Sequence, residues 1–180
     1  MKNELVKISA VALLTMGMGS TAFAQSQGQV TFNGALTGDT CTISADDVNR
    51  NVPMPRIPTS ALATATSVAG ATMFAITVAG CAATTNSVAA HWETMNMNPD
   101  TRNARNLATG DTAATNVDVQ LLDRDGTTVI PLGSAGTPVA ITGTGATRGA
   151  ILNYGGQYYA TGATRQGTVT ATARFTLTYN

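Results

Sequence analysis

Three residues offer the most reactive chemistry in this chain of 180: Cys41, Cys81 and His91, the last its only histidine. Three kinds of site could use them. A structural metal site takes about four Cys or His ligands, and two cysteines with one histidine fall short. A Cys–His nucleophilic pair is left open by the spacing alone. A disulfide needs only the two cysteines and an oxidising compartment. Other motifs are fragments. Asp123-x-Asp125-Gly126 matches part of a calcium loop, but the rest of that pattern is missing, so a turn is expected. Gly143-x-Gly145 lacks the strand–helix setting of a nucleotide loop. No G-x-S-x-G nucleophile motif occurs. His91, beside Trp92, reads as an ordinary sheet-surface residue. No catalytic, cofactor-binding or metal-ligating residue is assigned, and neither a cofactor nor a small-molecule substrate is expected.

The compartment weighs these readings. Lys2 and Lys7 give a positive start, Ile8 to Met18 is almost wholly apolar, and Ala22-Phe23-Ala24 supplies small residues at a cleavage point. Residues 1–24 therefore read as a secretory signal peptide, with the exported chain beginning at Gln25. The apolar run is shorter than the roughly 20 residues that span a bilayer. Removing 24 of 180 residues leaves 156, which suits one domain. Both cysteines lie in the exported part, and an even count there argues for a Cys41–Cys81 disulfide. It would close a loop of about 40 residues, worth about 4 kcal/mol in the chain-entropy picture.

The exported part carries eight arginines, no lysine and nine acidic residues. Nothing basic is clustered enough to hold nucleic acid through its phosphates. Ala, Thr, Gly and Val are abundant while Leu, Glu and Lys are scarce, a mixture that disfavours helices and favours strands joined by small-residue loops.

The strands show as period-two alternation. Phe74, Ile76 and Val78 alternate with Ala75, Thr77 and Ala79. Val88, Ala90 and Trp92 do the same with Ala89 and His91. Val117, Val119 and Leu121 lead into the turn at Asp123-Arg124-Asp125-Gly126, and Ile130 and Leu132 lie on the return. Leu152 and Tyr154 precede Gly155-Gly156, after which Tyr158 and Ala160 are expected to begin another short strand. The final strand is the clearest. Val169, Ala171, Ala173, Phe175, Leu177 and Tyr179 share one face, and Thr168, Thr170, Thr172, Arg174, Thr176 and Thr178 share the other. Residues 61–72 and 133–149 read as low-complexity loops, and Pro53, Pro55 and Pro58 suit bends or edges. No long amphipathic helix and no repeat of 20–50 residues appears. A single all-β sandwich follows.

One segment does not fit a self-contained sandwich. Val30, Phe32, Gly34, Leu36, Gly38 and Thr40 fall on one face of a strand at the extreme N-terminus of the exported chain. A glycine in the middle of an apolar face weakens a strand unless something must approach closely there. The segment could pair within its own domain or add to another molecule's sheet.

These residues resemble a family. Gly28-x-Val30-x-Phe32-x-Gly34 ahead of a cysteine, Cys41-Thr42-Ile43, and Phe74-x-Ile76-x-Val78-x-x-Cys81 are similar to the chaperone–usher pilins, the major subunits of type 1 and P pili. So are Tyr159-Ala160-Thr161, Gly167-x-Val169-x-Ala171 and the ending Phe175-x-Leu177-x-Tyr179. The middle departs in its loop lengths and its proline-rich stretch. The resemblance implies an incomplete immunoglobulin-like β-sandwich, residues 41–180, completed by donor-strand exchange. Residues 25–40 would be the extension whose Val30, Phe32, Gly34, Leu36, Gly38 and Thr40 fill a neighbour's groove. Phe175 and Leu177 would line that groove, and Tyr179 would contact the chaperone. The implied partners are copies of the same chain in a head-to-tail fibre, a periplasmic chaperone and an outer-membrane usher. The implied location is the surface of a Gram-negative bacterium, reached through the periplasm, and the implied role is a structural subunit serving adhesion. A minor or adaptor subunit is the nearest alternative, and a secreted, self-complemented binding domain the next.

Overall fold

The computed structural model describes residues 29–34, 36 and 40–179. Residues 1–24, expected to be a signal peptide, and residues 25–28, Ala35, Thr37, Gly38, Asp39 and Asn180 lie outside the described residues. The chain divides into two units, Met1–Leu36 and Thr37–Asn180.

The regular elements of the second unit are almost all strands. They are β1 (Thr42–Ile43), β2 (Val68–Ala79), β3 (Ser87–Glu93), β4 (Ala104–Arg105), β5 (Thr115–Leu122), β6 (Val129–Ile130), β7 (Ser134–Ala135), β8 (Val139–Ala140), β9 (Ala150–Arg165) and β10 (Arg174–Tyr179). One helical turn, α1 (Ala45–Val48), follows β1. One sheet runs β1-β2-β9-β5-β4, with β6 against β5. The other runs β10-β3-β7, with β8 also on β3. All the named strand pairs are antiparallel.

The alternating apolar residues meet between the sheets. Ile76 and Val78 of β2, Val88, Ala90 and Trp92 of β3, Leu121 of β5, and Leu152 and Tyr154 of β9 are all buried there with Ile130 and Leu132. A smaller cluster of Leu62, Val117 and Ala160 closes one end. The Tyr154 hydroxyl accepts the Ala90 N–H at 2.9 Å, so a buried polar group is satisfied across the two sheets. Asp47 of α1 is buried and accepts the Thr77 N–H at 2.8 Å, anchoring the helical turn to β2.

Four expectations need correction. Gly155-Gly156 does not end a strand: β9 runs through it for 16 residues, because β2 and β5 pair with it on both sides. A Cβ on Gly155 would press on Met73 Sδ and Leu122, so the glycine marks a close approach rather than a turn. The low-complexity stretch 61–72 is not all loop, since Thr59–Leu62 is a 3₁₀ turn and β2 already starts at Val68. Within 133–149 the short β7 and β8 and a 3₁₀ turn at Gly145–Thr147 break the expected loop. The twelve-residue final strand holds as a burial pattern but not as one ladder. Ladder pairing with β3 covers only Arg174–Tyr179. Earlier, Thr168 bridges to Ala113, and Leu107 N–H donates to the Thr170 carbonyl at 2.7 Å. The segment thus begins against the connection between β4 and β5 and becomes a ladder strand only from Arg174.

Candidate functional site

Two sheet edges meet where the chain ends. β1 is the outer strand of one sheet and β10 the outer strand of the other. Cys41, just before β1, is joined to Cys81, just after β2, by a disulfide. The cysteines are thereby committed to each other, which removes the Cys–His nucleophile reading. The Cys41 N–H also donates to the Tyr179 hydroxyl at 3.0 Å. A covalent bond and a hydrogen bond thus tie β2, β1 and β10 together at one edge.

β10 pairs with β3 alone: Phe175 opposite Trp92, Leu177 opposite Ala90, Tyr179 opposite Val88. Among the described residues no strand pairs with its other side. From Thr168 to Tyr179 every odd-numbered residue is half-buried and every even-numbered one exposed. Val169, Ala171, Ala173, Phe175, Leu177 and Tyr179 lean on the core without being enclosed by it. A completed sandwich buries the inward face of every strand. Here the inward face of the last strand stays part-open beside an unpaired backbone edge.

An aromatic cluster supports that face from behind. Trp92 lies 5.3 Å from Phe175 and 5.1 Å from Tyr154, the latter edge-to-face, and Phe74 lies 6.1 Å from Trp92, ring centroid to ring centroid. At the start of the same face, a cavity of about 1060 Å³ opens beside Val169, with Ile57, Leu62, Val117 and Tyr158 in its lining. The alternate residues from Val169 to Tyr179 carry no charge, although Arg56, Asp111 and Arg165 stand in the lining of the cavity. The face can take apolar side chains at every second position, and its free backbone edge can take a strand's hydrogen bonds.

Phe175, Leu177 and Tyr179 lie together on this face. Val169, Ala171 and Ala173 share that face as the alternation predicts, whereas the supporting role of Phe74, Trp92 and Tyr154 behind it is not legible from sequence. Val30, Phe32 and Leu36 are highly exposed, at 77, 91 and 104 %. Thr40 is exposed too, and nothing lies within 4 Å of where a Cβ on Gly34 would sit. The strand expected over Val30–Thr40 is not formed in its described residues, as a strand without a neighbour has no ladder to hold it. His91 faces outward on β3, with Nε2 3.4 Å from Glu93 Oε1. Asp123 and Asp125 shape the turn before β6. Asp123 accepts the Arg124 N–H at 2.7 Å and the Thr137 hydroxyl at 2.6 Å. Burial raises its pKa, but those bonds and the one from the Thr137 N–H outweigh it, holding Asp123 below the ordinary carboxylate range.

A two-sheet antiparallel sandwich that leaves the inward face of its last strand part-open beside an unpaired edge is an incomplete immunoglobulin-like domain. The fimbrial protein family matches it over residues 30–180. The chain is 34 % identical over 182 residues to the F17 fimbrial protein of Escherichia coli, covering 96 % of this chain and 98 % of that one. It is 39 % identical over 164 residues to the major fimbrial subunit SMF-1 of Stenotrophomonas maltophilia, covering 86 % and 94 %. A solved chaperone–usher pilus structure superposes with a TM-score of 0.60 at 20 % identity, over 88 % of this chain and 98 % of that one. The chain belongs to the fimbrial protein family, and it is a structural subunit of a surface fimbria.

Proposed function

We propose that the subunit polymerises by strand exchange, residues 25–40 of one copy entering the open edge of β10 in the copy ahead. The observation that carries this is a complementary pair within one chain. The extension offers exposed Val30, Phe32 and Leu36 at alternate positions, and β10 offers a half-buried apolar face with a free backbone edge. Docking satisfies both at once. Because donor and acceptor are different surfaces, each contact leaves a free donor and a free acceptor, which is the geometry of a filament. Phe175 and Leu177 are the acceptor residues in this reading, and Gly34 and Gly38 leave room for shallow parts of the groove.

An open groove exposed before assembly invites aggregation. A periplasmic chaperone that covers it, engaging Tyr179, and an outer-membrane usher that exchanges it complete the proposed route after removal of residues 1–24. The role is structural and not catalytic, and a single domain with an extension suits a shaft subunit.

Deleting Gln25 to Asp39 tests the reading. The truncated subunit should be exported and soluble in the periplasm yet fail to extend fibres. Fibres of normal length from cells making only that variant would rule strand exchange out.

A further inference from the structure

The extension contains the chain's only Asn-Gly pair, Asn33-Gly34. Asn followed by Gly is the dipeptide most prone to deamidation. The Gly nitrogen attacks the Asn side-chain carbonyl carbon, the C–N bond to the amide nitrogen breaks and ammonia leaves, forming a succinimide. Water then opens that ring at either carbonyl, giving aspartate or isoaspartate. The sum is one asparagine and one water to one acid residue and one ammonia, and no other reactant is needed. Glycine favours the attack because no Cβ crowds the incoming nitrogen.

Two features decide whether such a pair reacts. The nitrogen must be able to swing toward the side chain, and the backbone must be free to leave the extended form. Asn33 and Gly34 are exposed and outside any strand, and nothing lies within 4 Å of the Cβ direction at Gly34. Both conditions hold. A paired strand reverses them, because its ψ is held near about +135° and its N–H groups are engaged in the ladder. The attack geometry is then reached only through local opening.

We propose that Asn33 is a deamidation site, chemically open while the extension is unpaired and closed once it is docked, so that it ages subunits left outside a fibre. The proposal rests on the strand-exchange reading for its closed state. The two products differ in consequence. Asn33 alternates with Phe32 and Gly34, so its side chain belongs to the face opposite the apolar comb. Aspartate there adds a charge facing solvent. Isoaspartate instead routes the main chain through the side chain and inserts an extra carbon. Val30 and Phe32 then fall out of step with Gly34 and Leu36, and no register seats both.

Asp125-Gly126 is the related pair inside the folded domain. There the Gly nitrogen would have to displace water from a protonated carboxyl, which is scarce at mildly alkaline pH, and its parts are tied down as well. The Asp125 carboxylate accepts the Thr127 N–H at 2.8 Å and the Thr128 N–H at 2.7 Å, while the Gly126 N–H donates to the Asp123 carbonyl at 2.8 Å.

Unpolymerised subunits and assembled fibres of the full exported chain are incubated in parallel at mildly alkaline pH, and conversion at each Asn and Asp is read by peptide mass spectrometry with isoaspartate detection. Conversion at Asn33 should appear in free subunits and be slower in fibres by about tenfold or more, since reaction there waits on opening. Asp125 should stay unchanged in both. Aged free subunits should polymerise poorly, whereas fresh Asn33→Asp subunits polymerise near the parent rate and Asn33→Gln subunits keep their competence through ageing. Equal conversion in free subunits and fibres, no conversion in free subunits, or full competence of isoaspartate-containing subunits would each overturn the proposal. Normal polymerisation of the Gln25–Asp39 deletion would instead remove the strand-exchange reading, whatever happens at Asn33.

Discussion

Phe175→Ala separates an acceptor face from an ordinary core position. In the isolated subunit the ring is half-buried and meets Trp92 at a tilt, with ring centroids 5.3 Å apart. Truncating a fully buried Phe costs about 3–5 kcal/mol, so half-burial suggests about 2 kcal/mol here. A docked strand would cover the part that remains exposed. Burying a whole Phe side chain contributes about 1.5–3 kcal/mol, so the newly covered part contributes about 1 kcal/mol. The variant should therefore lose about 2 kcal/mol alone and about 3 kcal/mol when complemented, and it should bind a donor strand about fivefold more weakly. Urea unfolding of unpolymerised subunit, with and without a saturating synthetic peptide of residues 25–40, measures the first pair of numbers. Peptide titration measures the last. Leu152→Ala is the control, because Leu152 is already fully buried inside the sandwich. It should cost about 3 kcal/mol with or without peptide and leave affinity unchanged. Unaltered peptide affinity in Phe175→Ala, or an equal loss in Leu152→Ala, would refute an acceptor role for this face.

Tyr179→Phe deletes the acceptor of the Cys41 N–H and should cost about 1 kcal/mol in urea unfolding, with the disulfide intact by mass. Gly149→Ala would drive a Cβ into the Val78 carbonyl oxygen, so β2 and β9 must part locally; a loss of about 3 kcal/mol or more and low periplasmic yield are expected. Gly34→Leu meets nothing in the subunit itself, so its thermal midpoint should match the parent while strand exchange slows. Asp123 has a folded pKa below its unfolded one, so its contribution is present above about pH 4 and is lost as pH falls further and the group protonates. Acid unfolding of Asp123→Asn should accordingly lack part of the parent's drop in that range.

The sheets were legible because their inward residues alternate, and Ile76, Trp92, Leu121 and Phe175 all sit where that alternation puts them. Gly155-Gly156 misled because a turn and a tight inter-strand contact demand the same residue. Only the neighbours, Met73 and Leu122, distinguish them, and they lie on other strands. The start of the last strand misled differently. Thr168 to Ala173 keeps the alternation of a ladder strand, but alternation records which face is apolar and is silent on which strand lies alongside. Its partners, Ala113 and the Leu107 and Asn106 region, are more than fifty residues away in sequence. Of the site, the apolar alternation at both ends is legible in the pattern, while the pairing of one end with the other rests on the family resemblance. The supporting Phe74–Trp92–Tyr154 cluster needed the fold to bring three strands together.

The position of the disulfide follows from what the sandwich lacks. In a closed sandwich, each edge strand is held by the side chains of both sheets. β1 has only two residues and β10 has one neighbour, so neither is well held by its own ladder. An open edge of this kind could collapse inward, hiding the apolar face of β10, or fray outward. The Cys41–Cys81 bond fixes the start of β1 to the end of β2, and the Cys41–Tyr179 hydrogen bond carries that fixity across to β10. The reinforcement therefore falls at the edge that the proposed strand exchange requires to stay open, unfilled yet shaped. Reducing the bond should then weaken donor-strand affinity as well as stability, because a groove without fixed walls must be ordered by the incoming strand.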